Sequence, residues 1–222
     1  MSDSCCHDHG CAPPEASRSP RYRRVLWVAL FVNAAMFAIE ISGGLRAGSV
    51  SLLADAVDFF GDAANYGLAL VVLGMASVWR ARAALFKGLT MGAFGLFVLG
   101  RSVWSLASGI VPDAMTMGAI GVLALLANLG VAVMLYAWRE GDANMRSVWL
   151  CTRNDAIGNL AVMAAALGVF GTGTNWPDLA VAVVMGGLGL SAARSVIGQA
   201  RGELRDAAYS TRLRASGGLR AK

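Results

Sequence analysis

The stretch 51-SLLADAVDFFGDAANYGLAL-70 sets three aspartates, Asp55, Asp58 and Asp62, into a run that otherwise has the length and apolar character of a membrane-crossing helix. A carboxylate near the bilayer centre costs at least ~2.5–3.5 kcal/mol even on the lenient insertion scale. Together with Asn65 the polar positions step by three, four and three. A helix therefore carries all of them on one stripe and leaves Phe59 and Phe60 for lipid or neighbouring helices. Two carboxylates four residues apart are close enough to share one cation, and without one they repel. Polar contact between helices is the competing account. For Asp55, near the start of the run, a wet position at the outer surface is a further one.

The rest of the chain fits a bilayer. Of its 222 residues 56% are hydrophobic and 15% charged, and the mean hydropathy is +0.56, too apolar for an ordinary soluble domain. Twenty-seven glycines suit helices that approach closely in lipid. Apolar windows of about 20 residues fall at 25–45, 51–76, 84–107, 114–137, 147–170 and 177–199. The expected architecture is an all-α membrane protein with six transmembrane helices. Residues 1–24 form an amino tail without a secretory signal, 25–200 the six-helix membrane domain, and 201–222 a short basic tail.

All but three of the nineteen lysines and arginines lie in the two tails or in the second and fourth loops, where Lys87 is placed. Arg46 is alone on the opposite side, and Arg101 and Arg153 fall within spans. The positive-inside rule then puts both termini in the cytoplasm. The net charge of +5 is a topology signal with some anionic-lipid contact, not a nucleic-acid footprint. The expected location is a bacterial inner membrane, crossed many times.

The fifth span opens with 150-LCTRNDAIGNLAVMAAALGVF-170, where Cys151, Asp155, Gly158 and Asn159 make a second stripe. A lone cysteine usually behaves as a small buried hydrophobe; four residues before an intramembrane aspartate it is a candidate thiolate ligand. At ~1.5 Å per residue, Asp62 lies about 16 Å below one surface and Asp155 about 12 Å from the other. In a core of ~30 Å both approach the same plane. Asp58, Asp62, Cys151 and Asp155 can therefore meet as one metal site, whose oxygen and sulfur donors suit a first-row or d10 divalent ion better than sodium or potassium. Asn33 and Glu40 share a face of the first span. Glu40 can carry protons, line a vestibule or pair with Arg46 or Arg101, while Asn128 reads as an interhelical hydrogen bond. With Asp55, Asn65 and Asn159, Asn33 and Glu40 are accessory polar candidates.

The amino tail reads 5-CCHDHGC-11 and holds both histidines and three of the four cysteines of the chain. In the cytoplasm those thiols stay reduced. Cys5, Cys6, His7, His9 and Cys11 are thus candidate ligands for a soft ion, against the plain alternative of an irregular polar tail.

The segments 48-GSVSLLADAVDFFGDAANY-66 and 151-CTRNDAIGN-159, followed by WPD at 176–178, resemble the cation diffusion facilitator family of divalent-metal transporters. The resemblance covers about residues 25–200. It implies a proton-coupled exporter of zinc-like ions, usually a homodimer, with a tetrahedral site between the second and fifth helices formed here by Asp58, Asp62, Cys151 and Asp155. Zinc-selective members often carry histidine where this chain has Asp58 and Cys151, so the resemblance does not fix the metal; Cys151 favours zinc, cadmium and cobalt, and the three aspartates leave manganese and iron open. The family's carboxyl-terminal cytoplasmic domain is expected to be absent. The transported divalent metal ion, with zinc first, is the only cofactor-like species expected. Protons and lipid complete the partners. No catalytic residues are expected, because the spans contain neither histidine nor a serine-centred nucleophile motif. A membrane protein that binds metal through its tail without moving it is the alternative.

Overall fold

A computed structural model describes residues 20–71, 77–137 and 143–217, with side chains described except at 77, 80, 143–154 and 210–217. Six helices account for nearly all of it: α1 Pro20–Ala47, α2 Val50–Val71, α3 Ser77–Ser108, α4 Ala114–Tyr136, α5 Ala143–Thr172 and α6 Trp176–Gly217. The described residues contain no strand. Five of the helices are long and apolar enough to cross a membrane. The exception is α2, whose 22 residues match the thickness of a bilayer at ~1.5 Å each and whose three aspartates lower its apolarity.

Two boundaries differ from the sequence reading. Lys87, expected in a loop, lies inside α3, which begins ten residues before it. The basic segment after residue 200 is not separate, because α6 continues through it to Gly217 as one helix of 42 residues. Arginines along that segment are compatible with helix, and no proline or glycine pair interrupts it before the end.

On one side of the molecule three short loops follow a single scheme. α1, α3 and α5 each end one residue before a glycine with positive φ, Gly48 at 69°, Gly109 at 65° and Gly173 at 63°. This left-handed conformation turns the chain out of a helix and disfavours residues with a Cβ. Gly109 and Gly173 donate their N–H to Ser105 O and Val169 O. The α6 helix opens with the backbone carbonyl of Asn175 accepting from Leu179 N, while α2 and α4 start on capping side chains: Ser49 Oγ accepts from Leu52 N and Asp113 Oδ1 from Met115 N. Side-chain caps of this kind satisfy N–H groups that the helix itself leaves unpaired.

A further polar anchor is Asp178, which is 0% exposed. Its carboxylate accepts from Ser49 Oγ at 2.7 Å, Val50 N at 2.8 Å, Ser51 N at 3.0 Å and Ser51 Oγ at 2.6 Å. A buried anion is thereby given four donors and the positive end of the α2 dipole. The same turn of α6 is tied to α3 by Asn175 Nδ2 donating to Ser105 O at 3.0 Å.

α1 packs on α2 and α4, α4 on α5, and α5 against α2, which closes a four-helix bundle. α3 and α6 pair closely and lie against its α2 and α5 side. Phe37 of α1, Phe60 of α2 and Phe94 of α3 meet with ring centroids 5.5–5.9 Å apart, and Phe59 is buried, so both α2 phenylalanines serve helix contacts rather than lipid. Outward, large apolar side chains such as Phe31, Phe86, Leu126, Leu167, Phe170 and Leu188 are exposed. That surface suits hydrocarbon and would be a liability in water.

Candidate metal-transport site

The two polar stripes face one another across the bundle. The Asp62 and Asp155 carboxyl groups lie within hydrogen-bonding reach, and each keeps a buried oxygen, Oδ2, without a partner. Two carboxylates in contact have acceptors only, so the arrangement closes only around a proton or a cation. The Tyr66 hydroxyl, one turn beyond, donates to Asp62. Asp58, a turn before, is partly buried and contributes its charge to the same region.

Among the described residues no group of three or more histidines, cysteines, aspartates and glutamates is assembled at metal-holding distance. Of the four expected ligands, Asp62 and Asp155 are thus brought together and Asp58 lies near them. Cys151 is part of α5, but its side chain lies outside the described set, as do Cys5, Cys6, His7, His9 and Cys11 of the tail.

A second acidic contact lies on α1 and α2. Glu40 is 0% and Asp55 2% exposed, and their carboxyl groups are within hydrogen-bonding reach of each other. Neither Glu40 oxygen finds a donor, so of the alternatives open for it the pairing with Arg46 or Arg101 does not form. Arg46 instead lines a cavity of about 360 Å³ with Asp113 and Thr116, and Arg101 Nε, itself buried, has no partner. Asp55 is not wet. Asn159 is 0% exposed with both amide atoms unpartnered. Asn33 Nδ2 donates to Ala29 O at 2.8 Å within its own helix, and its Oδ1 is unpartnered, as is that of Asn128.

Sequence reasoning missed two participants. The Lys87 ammonium donates to Asn65 Oδ1 and places its positive charge near Asp62. The window 84–107 already contained it, and a lysine inside a span signals a partner. Asp178 was quoted only as part of WPD; an acidic residue at the start of an apolar helix signals a cap but does not reveal that it serves α2.

Helices that bury carboxylates and present apolar side chains outward make this a multi-pass membrane protein. The profile of the cation efflux transmembrane domain matches residues 26–204, and the chain belongs to that family, which is one of transporters. It is 26% identical over 175 residues to the metal cation efflux system protein CzcD of Cupriavidus metallidurans, covering 73% of this chain and 55% of that protein. To the zinc transporter ZitB of Escherichia coli it is 26% identical over 215 residues, covering 91% and 68%. To the cadmium, cobalt and zinc/H(+)-K(+) antiporter of Bacillus subtilis it is 22% identical over 179 residues, covering 73% and 57%. The chain thus spans about half the length of the first of these relatives. The apolar helices and bacterial relatives place it in the bacterial inner membrane.

Proposed function

We propose that the protein exports divalent transition-metal ions of the zinc, cadmium and cobalt type, exchanging them for protons at a site between α2 and α5. The observation that carries this reading is the contact of Asp62 with Asp155, two carboxylates from different helices with unpartnered buried oxygens. Such a pair is unfavourable when bare and is compensated by a cation. Asp58 one turn away and Cys151 four residues before Asp155 complete a donor set of oxygen and one sulfur, which suits borderline-soft ions. The names of the relatives, which include zinc and cadmium, agree with that set.

In the cycle, a metal arriving from the cytoplasm displaces protons from the thiol and from the carboxyl pair, because ligands bind deprotonated. Carboxylates and thiolate replace the water that the ion sheds. Rocking of the helices then opens the site to the other side, and protonation there releases the ion. Asp178 keeps the start of α2 fixed against α6 during this motion.

The test is uptake into inside-out vesicles under an imposed pH gradient, with Zn2+, Cd2+, Co2+ and Mn2+ compared. Uptake should require the gradient and be lost in Asp62→Ala and in Asp155→Ala. Normal transport by either variant would return the stripes to helix packing. Gradient-independent binding without uptake would make the chain a metal-binding membrane protein that does not move its ion.

A further inference from the structure

The transport site accounts for Asp58, Asp62 and Asp155 but not for the polar groups buried on α1, α2 and α5 alongside it. Glu40 is completely buried, and neither of its oxygens has a donor. Asp55, in contact with it, also keeps an unpartnered Oδ2. Orphaned acceptors at full burial are rare, and each calls for a ligand or a strain account.

An independent observation comes from α5. Gly158 lets that helix pass against Asp55: a Cβ there would sit 3.9 Å from Asp55 Oδ1. The neighbouring Asn159 lies one turn beyond Asp155 on the same stripe of α5. It is 0% exposed, and neither its Nδ2 nor its Oδ1 has a partner. An amide left wholly unsatisfied in the interior is destabilising, and an amide oxygen is a good ligand for a hard cation.

The position of the group sets it apart from the transport site. Asp55 precedes Asp58 on α2, so it lies nearer the side where the three glycine loops turn. A cavity of about 360 Å³ opens on that same side between α1 and α4, lined by Ile39, Ser42, Arg46, Asp113 and Thr116.

We propose that Glu40, Asp55 and Asn159 form a second cation station, placed between the transport site and the glycine-loop side, that takes the departing divalent ion through oxygen ligands alone. It rests on the reading of Asp62 and Asp155 as the transport site. Two carboxylates and an amide contain neither sulfur nor imidazole, so the station favours hard divalent ions. An ion coordinated by a thiolate at the inner site is thereby passed to weaker, harder ligands before it leaves.

Mn2+, read by electron paramagnetic resonance, suits both sites as a probe. The full chain is held in nanodiscs of zwitterionic lipid, with Cys5, Cys6 and Cys11 changed to Ser and His7 and His9 to Ala so that the tail contributes no ligands. This parent should bind two ions per chain and Glu40→Gln one, the retained inner ion serving as its folding control. The double variant Asp62→Ala/Asp155→Ala should also bind one ion, and adding Glu40→Gln should abolish binding. The station is overturned if the parent binds one ion, if Glu40→Gln alone still binds two, or if the ion held by the double variant survives Glu40→Gln. A double variant that keeps two ions overturns the transport site itself, and with it the station.

Discussion

Asp62 and Asp155 derive their role from position, because neither is unusual except that the other faces it across two helices. Lys87 modifies the pair. Its charge lies near Asp62 while its hydrogen bond goes to Asn65, so it repels an incoming cation through a poorly screened medium. Lys87→Gln is expected to lower the KM for metal several-fold in vesicle uptake; an unchanged or higher KM would remove Lys87 from the site. Asp178 is a separate matter of stability. Asp178→Ala strands two backbone N–H groups and two hydroxyls at the start of α2, and the loss should be about 2–4 kcal/mol. Thermal unfolding followed by tryptophan fluorescence checks it, and Asp178→Asn should lose less.

The aspartate stripe was legible because helical periodicity alone puts Asp55, Asp58 and Asp62 on one face. The pairing of Glu40 with Asp55 was not: an arginine is the ordinary partner for a buried glutamate, and only the packing of α1 on α2 shows a second carboxyl there. The partners of Lys87 and Asp178 were hidden for the same reason, since contacts 22 and 127–129 residues apart carry no local signature.

Between elements, the closest fit is that of α3 on α6. Gly88, Gly92 and Gly95 present a small-residue strip to Ile197, Ala193 and Leu190, the kind of surface that lets helices approach in lipid. A Cβ at Gly88 would lie 2.9 Å from Ile197 Cγ1 and 3.3 Å from Ile197 N, and backbone cannot step aside as a side-chain tip can. Gly88→Val should therefore destabilise the protein by about 1–3 kcal/mol, seen as a lower melting temperature, whereas Gly100→Val, with nothing within 4 Å, should not.

The helix starts were more legible than the long helix end. Asp113 before α4 has the residue type of a cap and acts as one, and hydrogen bonds from the Thr116 hydroxyl and the Met115 N–H hold its carboxyl below the usual aspartate range. Its folded pKa being depressed, the stabilisation is present above the ordinary aspartate pKa of about 4 and fades as pH falls through the lower folded value. Protection factors for amide exchange at Met115 and Thr116, which correct for the intrinsic pH dependence, should fall over that acidic window and stay constant between pH 5 and 8. The continuation of α6 past residue 200 escaped the hydropathy reading because apolar windows report where lipid ends, not where a helix does.

At the scale of the whole molecule, a bundle of α1, α2, α4 and α5 carries the buried carboxylates Glu40, Asp55, Asp62 and Asp155, and the α3–α6 pair braces it through Asp178 and Asn175. Six helices put the two described ends on the same side, and reporter fusions after Gly217 should report the cytoplasm if the basic loops face inward. Class and span count came from composition and periodicity, and the family from two motifs. The station at Glu40 needed the three-dimensional arrangement.

The central claim is that one metal ion is held jointly by α2 and α5. X-ray absorption of Zn2+ bound to the tail-substituted chain tests it most directly. The account predicts one sulfur at ~2.3 Å and oxygens at ~2.0–2.2 Å for the ion between α2 and α5, with the sulfur signal lost both in Cys151→Ser and in Asp62→Ala. A spectrum without sulfur, or a sulfur signal that survives Cys151→Ser, would contradict it.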